Sequence, residues 1–306
     1  MERLRAIERH LLPLVLATTA FGLAVPEVGQ ALSRAITPLL AILMLCVALT
    51  FDVAALRAVL RRPGVQALAT GLVYGPMSVT GFILGRLVFG QGPLGLGITL
   101  VGVLPTDVSS PLLVWIARGN VAMATVLNAV NTALAPFLVP ALFLLLTGID
   151  LEVPVGALVG ELALTVLAPT AVGVALRSRW PRRIEPFEPA LSAGSSLAYL
   201  ALLLAVIGPN AGAILGAPIQ VLLVAAAALA LNATGYLLAL AARPLLSRRG
   251  DRIAMLFTVS KKEFSIAAFV VFASGLPPEV ALPAVVYAVV QMLTSPAVAA
   301  AIARQA

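Results

Sequence analysis

Charge is what this chain has least of. Asp, Glu, Lys and Arg together make up 11% of its 306 residues, against 61% hydrophobic residues. Mean hydropathy is +1.06. A soluble protein with that composition would leave most of its surface apolar, so a soluble domain is excluded and a polytopic membrane protein is implied. Cysteine is nearly absent. Cys46, inside a hydrophobic stretch, is the single thiol, and one thiol makes neither an intrachain disulfide nor a thiolate metal cage. It reads as packing. Histidine is as scarce: His10 stands alone at the edge of the first apolar run, which excludes a histidine-based metal or catalytic cluster. The chain carries no His-Glu-x-x-His zinc motif, no aspartate-rich prenyltransferase motif, and no Gly-x-Ser paired with a membrane histidine. Neither enzymatic chemistry nor a cofactor is expected.

What is present is a succession of apolar runs long enough to cross a bilayer. Ten are counted, at 9–27, 35–55, 65–89, 93–117, 120–147, 153–176, 189–208, 217–241, 252–275 and 279–303. The start, with Arg3 and Arg5 before an apolar run, resembles a signal peptide. No small-x-small cleavage site follows Ala24-Val25-Pro26, so it is read as the first span. The sequence pI of about 10.5 does not point to nucleic acid, because the arginines sit in short loops where they orient the chain. With an inside N-terminus, the cytoplasmic positions hold Arg3, Arg5, Arg9, Arg57, Arg61, Arg62, Arg118, Arg177, Arg179, Arg182, Arg183, Arg243, Arg248, Arg249, Arg252 and Arg304. That is 16 of the 20 basic residues. Arg34 and Arg86 fall outside, and the remaining two are Lys261 and Lys262, within span nine. This segregation supports ten spans in the plasma (inner) membrane with both termini cytoplasmic. The fold class expected is an all-α membrane protein in two halves, 1–150 and 151–306, of five spans each and inverted topology. Ala69-Thr70-Gly71 against Ala233-Thr234-Gly235, and Asn131 and Gln291 each five residues before a proline (Pro136, Pro296), give local support.

Two spans break the rules of a membrane helix near their middles. One reads Pro105-Thr106-Asp107-Val108-Ser109-Ser110-Pro111. The other reads Thr258-Val259-Ser260-Lys261-Lys262-Glu263-Phe264-Ser265. Charges at bilayer depth cost roughly 2.5–3.5 kcal/mol each on insertion scales, so they usually face a cavity and mark a substrate or ion path. At 1.5 Å rise per residue, Lys261 lies about 14 Å beyond Arg252 and Asp107 about 16 Å from Arg118, near the middle of a core about 30 Å thick. Pro105 and Pro111 remove backbone donors. Unwound backbone is tolerated at that depth only inside protein or beside water. Spans four and nine run in opposite directions, so their breaks can cross. Lys261, Lys262 and Glu263 are consecutive and point about 100° apart on a helix; one partner cannot neutralise all three, and a hydrated cavity is the arrangement expected. Asn128 and Asn131 share one face of span five, as Gln291 and Thr294 do of span ten. These residues can line the same cavity, or simply hydrogen-bond between helices. Glu161 in span six, with Ser192, Ser195, Ser196 and Tyr199 in span seven, is a candidate for the opposite wall or for proton handling. Asn232-Ala233-Thr234 matches a glycosylation sequon but sits within a span and is discounted. Gly71-x-x-x-Gly75 and Gly156-x-x-x-Gly160 read as close helix contacts.

The stretch Val103-Leu104-Pro105-Thr106-Asp107-Val108-Ser109-Ser110-Pro111, followed by Ala117-Arg118-Gly119-Asn120-Val121-Ala122, Leu134-Ala135-Pro136 and Pro140-Ala141-Leu142-Phe143-Leu144, resembles the bile acid:sodium symporter family. The resemblance runs along nearly the full length. It implies a core domain of spans 3–5 and 8–10, a panel domain of spans 1, 2, 6 and 7, and transport of a small organic anion with sodium beside the crossing. Arsenite carriers of similar fold rely on a span-four cysteine, which this sequence lacks. A channel is the other competing class. Two inverted broken helices favour a carrier.

The resemblance fails where sodium should bind. Ser110 and Asn128 keep an oxygen at two family sodium positions, but Pro111 stands for an asparagine and Ala124 for a serine. In span nine Thr258 stands for a glutamate, Lys262 for a glutamine and Glu263 for an asparagine, and Gly71 stands where span three has a glutamine. Ser110, Asn128 and Thr258 are thus weak sodium candidates. A lysine can instead serve as a tethered positive charge in the cation's place, with coupling to H+ or to nothing, since buried lysines titrate readily. The candidate substrate and ion site is Thr106, Asp107, Ser109, Ser110, Asn128, Asn131, Thr258, Ser260, Lys261, Lys262, Glu263 and Gln291. Bile acids, keto acids, pantothenate-like acids and sulfonated metabolites all suit such groups, and the sequence sets no oligomeric state.

Overall fold

The computed structural model describes the backbone of residues 2–51, 62–149 and 154–304, with side chains from residue 13 onward. His10, Arg3, Arg5, Arg9, Arg57 and Arg61 lie outside the described side chains. All regular structure among the described residues is helical. The helices are α1 (Glu2–Ala24), α2 (Pro26–Ser33), α3 (Ile36–Leu49), α4 (Pro63–Tyr74), α5 (Pro76–Phe89), α6 (Pro93–Val103), α7 (Ser110–Ile116), α8 (Val121–Thr147) and α9 (Val155–Leu162). A π-turn at Ala163–Leu167 joins α9 to α10 (Ala168–Arg179). Then come α11 (Pro181–Ile184), α12 (Glu188–Gly216), α13 (Pro218–Ala241), α14 (Arg249–Ser260), α15 (Phe264–Ala273) and α16 (Leu282–Arg304).

Proline does much of the punctuation. Pro26, Pro63, Pro76, Pro93, Pro181 and Pro218 each open a helix, where the missing N–H costs nothing and the fixed φ suits the first turn. At Pro26 the effect is larger than expected. Val25 is pushed out of the helical region (φ −131°, ψ 70°), as residues before proline are, and the axis turns by 100° between α1 and α2. The first apolar run is therefore a bent pair and not one rod. Conversely, Pro209 does not end span seven: α12 runs on through it to Gly216.

Among the described residues, six helical stretches are long and apolar enough to cross a membrane: Pro63–Phe89, Val121–Thr147, Val155–Arg179, Pro181–Gly216, Pro218–Ala241 and Pro278–Arg304. The bent α1–α2 pair brings the total to seven if taken as one span. Leu87, Leu145, Ile219 and Leu222 are exposed large aliphatics on these helices. The protein is an integral membrane protein.

Small residues set the closest helix approaches, though not where the glycine spacing suggested. A Cβ on Gly71, Gly156 or Gly160 would meet nothing within 4 Å; these glycines are not close contacts. The tight crossings lie elsewhere. A Cβ on Gly81 would come within 2.7 Å of Gly102 Cα, one on Gly29 within 2.7 Å of Gly208 Cα, and one on Gly235 within 2.5 Å of Ser260 Cα. The spacing shows that a helix face is bare, but what packs on it is decided by the partner. Gly81 fixes α5 against the end of α6, and Gly235 brings α13 onto the end of α14. Both approaches end at the two broken segments.

Candidate functional site

The breaks arise where helix-stopping residues coincide. Leu104 is extended (φ −65°, ψ 153°) before Pro105, and α7 restarts at Ser110 with Pro111 in its first turn. Lys261 is extended (φ −109°, ψ 139°) after α14. Glu263 (φ −85°, ψ 94°) caps α15, its Oε1 accepting from Ser265 N at 3.4 Å and from Ser265 Oγ at 2.6 Å. A carboxylate suits a helix N-terminus, whose N–H groups lack partners and whose dipole end is positive.

The two unwound segments then pair with one another. Asp107 N donates to Lys261 O at 3.4 Å, and Glu263 N donates to Pro105 O at 3.0 Å. The backbone groups freed by the breaks are taken up by side chains of the facing broken span and of two other helices, α13 and α16. Ser110 Oγ donates to Phe257 O at 3.2 Å and Thr106 Oγ1 to Thr258 O at 2.8 Å. Ser260 O accepts from Asn232 Nδ2 at 2.8 Å and Tyr287 OH at 2.6 Å. Gln291 holds both main-chain polar groups of one residue: its Oε1 accepts from Lys262 N at 2.9 Å, and its Nε2 donates to Lys262 O at 3.1 Å. Buried main-chain groups need partners, and away from water only protein can supply them.

The four charged residues are all buried, each at most 1% exposed. Lys261 Nζ pairs with Asp107 Oδ1 at 2.9 Å and also donates to Ser109 Oγ. Ser109 in turn donates to Asp107 Oδ1 through its N, at 2.8 Å, and through its hydroxyl. Gln291 Nε2 donates to Asp107 Oδ2 at 3.1 Å. Lys262 Nζ has no carboxylate partner among the described residues. It donates to three main-chain carbonyls: Val73 O at 2.9 Å, Gly102 O at 2.9 Å and Leu104 O at 2.8 Å. Val73 and Gly102 lie at the C-terminal ends of α4 and α6, where helix dipoles favour a cation. Glu263 Oε2 accepts from Val108 N at 3.0 Å.

This arrangement corrects the expected one. The sequence suggested charges bathed by a cavity. In the structure fixed protein groups satisfy them: two charges meet as a pair, and two are held by backbone dipoles and hydroxyls. A void at the edge of the crossing, bounded by Met44, Val47, Phe51, Val108, Ala129, Thr132 and Thr170, measures about 10 Å³, about the space one water needs.

Asn131 joins the crossing, donating from Nδ2 to Thr106 Oγ1 at 3.1 Å and accepting at Oδ1 from Thr70 at 2.8 Å. Asn128 instead accepts from Thr132 at 3.2 Å, and its Nδ2 is buried without a partner. Thr258 Oγ1 donates back to Ala254 O at 2.8 Å, and Ser260 Oγ is unpartnered. Thr294 bonds Asn232 Oδ1 at 2.9 Å and stays outside the crossing. Ser195 and Ser196 both return to Ser192 O at 2.9 Å. Tyr199 is buried edge-on to Phe264, with ring centroids 4.6 Å apart and its hydroxyl unpartnered. Glu161 is exposed; it lines no wall opposite the breaks.

Sequence reasoning missed the three carbonyls, which no side-chain pattern announces. It also set aside Asn232 as a sequon and overlooked Tyr287. Ser265, two residues after Glu263, was a legible capping signal. A second cluster was missed at the far ends of α4 and α14. There Asp251, fully buried, pairs with Arg62 at 2.7 Å and accepts from Asn120 Nδ2 at 2.8 Å. Asn120 N also donates to Gly250 O at 3.0 Å.

The chain is 30% identical over 242 residues to the uncharacterized protein YbaS of Bacillus subtilis, covering 76% of each. It is 25% identical over 224 residues to the uncharacterized sodium-dependent transporter YocS of the same species, covering 73% of this chain and 69% of that one. It is 32% identical over 184 residues to the probable sodium/metabolite cotransporter BASS1, chloroplastic, of Oryza sativa subsp. japonica, covering 59% of this chain and 44% of that one. A model of the sodium bile acid symporter family matches residues 37–217, more than half the chain. A buried ionic crossing in an integral membrane protein, and this match, lead to one assignment: the chain belongs to the sodium bile acid symporter family, whose members are transporters and not enzymes.

Proposed function

We propose that this protein carries a small organic anion across the plasma (inner) membrane by alternating access, and that the Lys262 ammonium stands where relatives would use a coupling cation. One observation carries the reading: Lys262 Nζ within 2.9 Å of three main-chain carbonyls. Carbonyl oxygens are what replaces the hydration shell of an alkali ion in a protein site. A tethered ammonium in that place repels sodium and needs no ion gradient to fill it. The weak sodium candidates have protein partners: Ser110 and Thr258 donate to Phe257 O and Ala254 O, and Asn128 Oδ1 accepts from Thr132.

In this reading each broken helix is one span, which supports ten spans as two inverted halves, 1–150 and 151–306, with both termini cytoplasmic. A core of spans 3–5 and 8–10 carries the crossing. The void beside Val108 is too small for an organic anion, so access requires the core to move against the panel of spans 1, 2, 6 and 7. The substrate is a carboxylate or sulfonate, drawn by Lys261 and the helix N-termini at the breaks. Coupling is to protons or absent.

Sodium coupling is the second reading, favoured by the names of YocS and BASS1. Thermal stabilisation by an anion library finds the ligand, since only compounds that favour the folded form raise its melting point. Counterflow in proteoliposomes under a sodium gradient, and then under a pH gradient, separates the readings. Saturable exchange that ignores sodium supports the proposal. Exchange that requires sodium with both lysines intact selects the second reading, and flux without counterflow indicates a channel.

A further inference from the structure

The two lysines are neighbours in sequence and unlike in circumstance. An ammonium has three donors, and Lys262 spends them on three main-chain carbonyls. Those acceptors do not titrate, and they move only if α4 or α6 moves. Lys261 is held by side chains, the Asp107 carboxylate and the Ser109 hydroxyl. A side-chain carboxylate can be displaced by another anion.

Access differs as well. Thr106, Asp107, Ser110 and the whole run from Ser260 to Ser265 are buried, whereas Val108 and Ser109 are half-buried. Lys261 therefore lies directly beneath the accessible edge of the crossing. Val108 borders the small void, and so does Ala129, the neighbour of Asn128. Two buried groups near this edge lack partners among the described residues, the Asn128 amide nitrogen and the Tyr199 hydroxyl. Tyr199 packs on Phe264, next to Glu263. Both groups can donate, so an anion would give them the acceptors they lack.

We propose that Lys261, and not Lys262, binds the transported anion, and that Asp107 is an internal stand-in for the substrate. Its carboxylate occupies Lys261 when the site is empty and yields when a carboxylate or sulfonate arrives. The other ionisable groups around Asp107 are held by other partners. Glu263 is committed to Val108 N and Ser265, and Lys262 reaches Asp107 only through Gln291. Tyr287 is committed to Ser260 O, and Tyr199 offers a hydroxyl. The inference rests on the anion-carrier reading, but it concerns a different lysine from the coupling claim.

Lys261 and Lys262 are the only lysines in the sequence, which gives a clean test. The full chain in proteoliposomes is treated with sulfo-N-hydroxysuccinimide acetate, an anionic reagent. The lysine amine takes its acetyl group, and sulfo-N-hydroxysuccinimide leaves. Fragment mass spectrometry assigns the acetyl group to one lysine or the other. Lys261 should be modified first. Asp107→Asn should accelerate that modification roughly tenfold, the factor for losing one charge-assisted hydrogen bond. Ser109→Ala, a milder change, should accelerate it a few-fold and serves if Asp107→Asn does not fold. Modification of Lys262 as fast as Lys261 would overturn the proposal. So would a Lys261 that stays unreactive, or indifferent to both variants. If labelling behaves as expected and transport proves sodium-dependent, only the cation reading fails; the opposite pair of results removes the anion site and leaves that reading standing.

Discussion

Lys262→Ala should turn a protein indifferent to sodium into one that sodium stabilises. The substitution removes an ammonium and leaves the carbonyls of Val73, Gly102 and Leu104 facing a vacated point, each 2.8–2.9 Å from where the nitrogen stood. An unsatisfied buried acceptor costs about 1–3 kcal/mol. Three would cost about 3–9 kcal/mol if nothing relaxed, and water entering the hole should hold the loss near the lower end of that range. Sodium present at 100 times its Kd returns about 2.7 kcal/mol, most of that lower figure. The assay is thermal unfolding of purified wild type and variant in detergent, with sodium chloride exchanged for choline chloride at constant ionic strength. Wild type should show no difference between the salts. The variant should unfold earlier in choline and recover much of the gap in sodium. A wild type that sodium stabilises, or a variant that responds to no alkali cation, refutes the idea that Lys262 stands in a cation's place.

Other outcomes follow from the same contacts. Asp107→Asn should lower the anion concentration that gives half-maximal exchange in proteoliposomes, because no internal carboxylate then competes for Lys261; an unchanged KM would count against that competition. Asn232→Ala and Tyr287→Phe should each cost about 1 kcal/mol, since Ser260 O keeps one donor in either variant. Together they should cost more than the sum, because only the double variant orphans that carbonyl; additive melting shifts would count against the shared role. Asp251→Ala should destabilise by about 1–3 kcal/mol, below the usual figure for breaking a buried pair, because the half-buried Arg62 can find water. An unshifted melting temperature would show that the cluster joining α4, α8 and α14 is dispensable.

Much of the architecture was legible because membranes allow few solutions. Apolar run length located the helices, and Pro105, Pro111 and the Lys261–Glu263 run marked the two breaks. Thr106, Asp107, Asn131 and Gln291 could be singled out because polar side chains are costly in lipid. What stayed hidden was backbone. No residue type announces that Val73, Gly102 and Leu104 will turn their carbonyls to one point. Those carbonyls are free only because α4 breaks at Gly75-Pro76 and α6 at Leu104-Pro105. The expected cavity was wrong for the same reason: counting side-chain partners suggested unmet charge, whereas helix ends and Ser265 meet it. Glu161 misled because mid-span acidity says nothing of which way a residue faces. The 100° bend at Pro26 and the unbroken α12 through Pro209 show that one proline signal has opposite outcomes.

The most direct measurement is whether sodium travels with the anion. Proteoliposomes holding the wild-type protein would be given radiolabelled sodium together with a transported anion, and both would be counted inside the vesicles during initial uptake. If Lys262 fills the cation's place, the anion accumulates and sodium stays at the level of protein-free vesicles. Sodium entering in fixed proportion to the anion, with Lys261 and Lys262 unaltered, would contradict it.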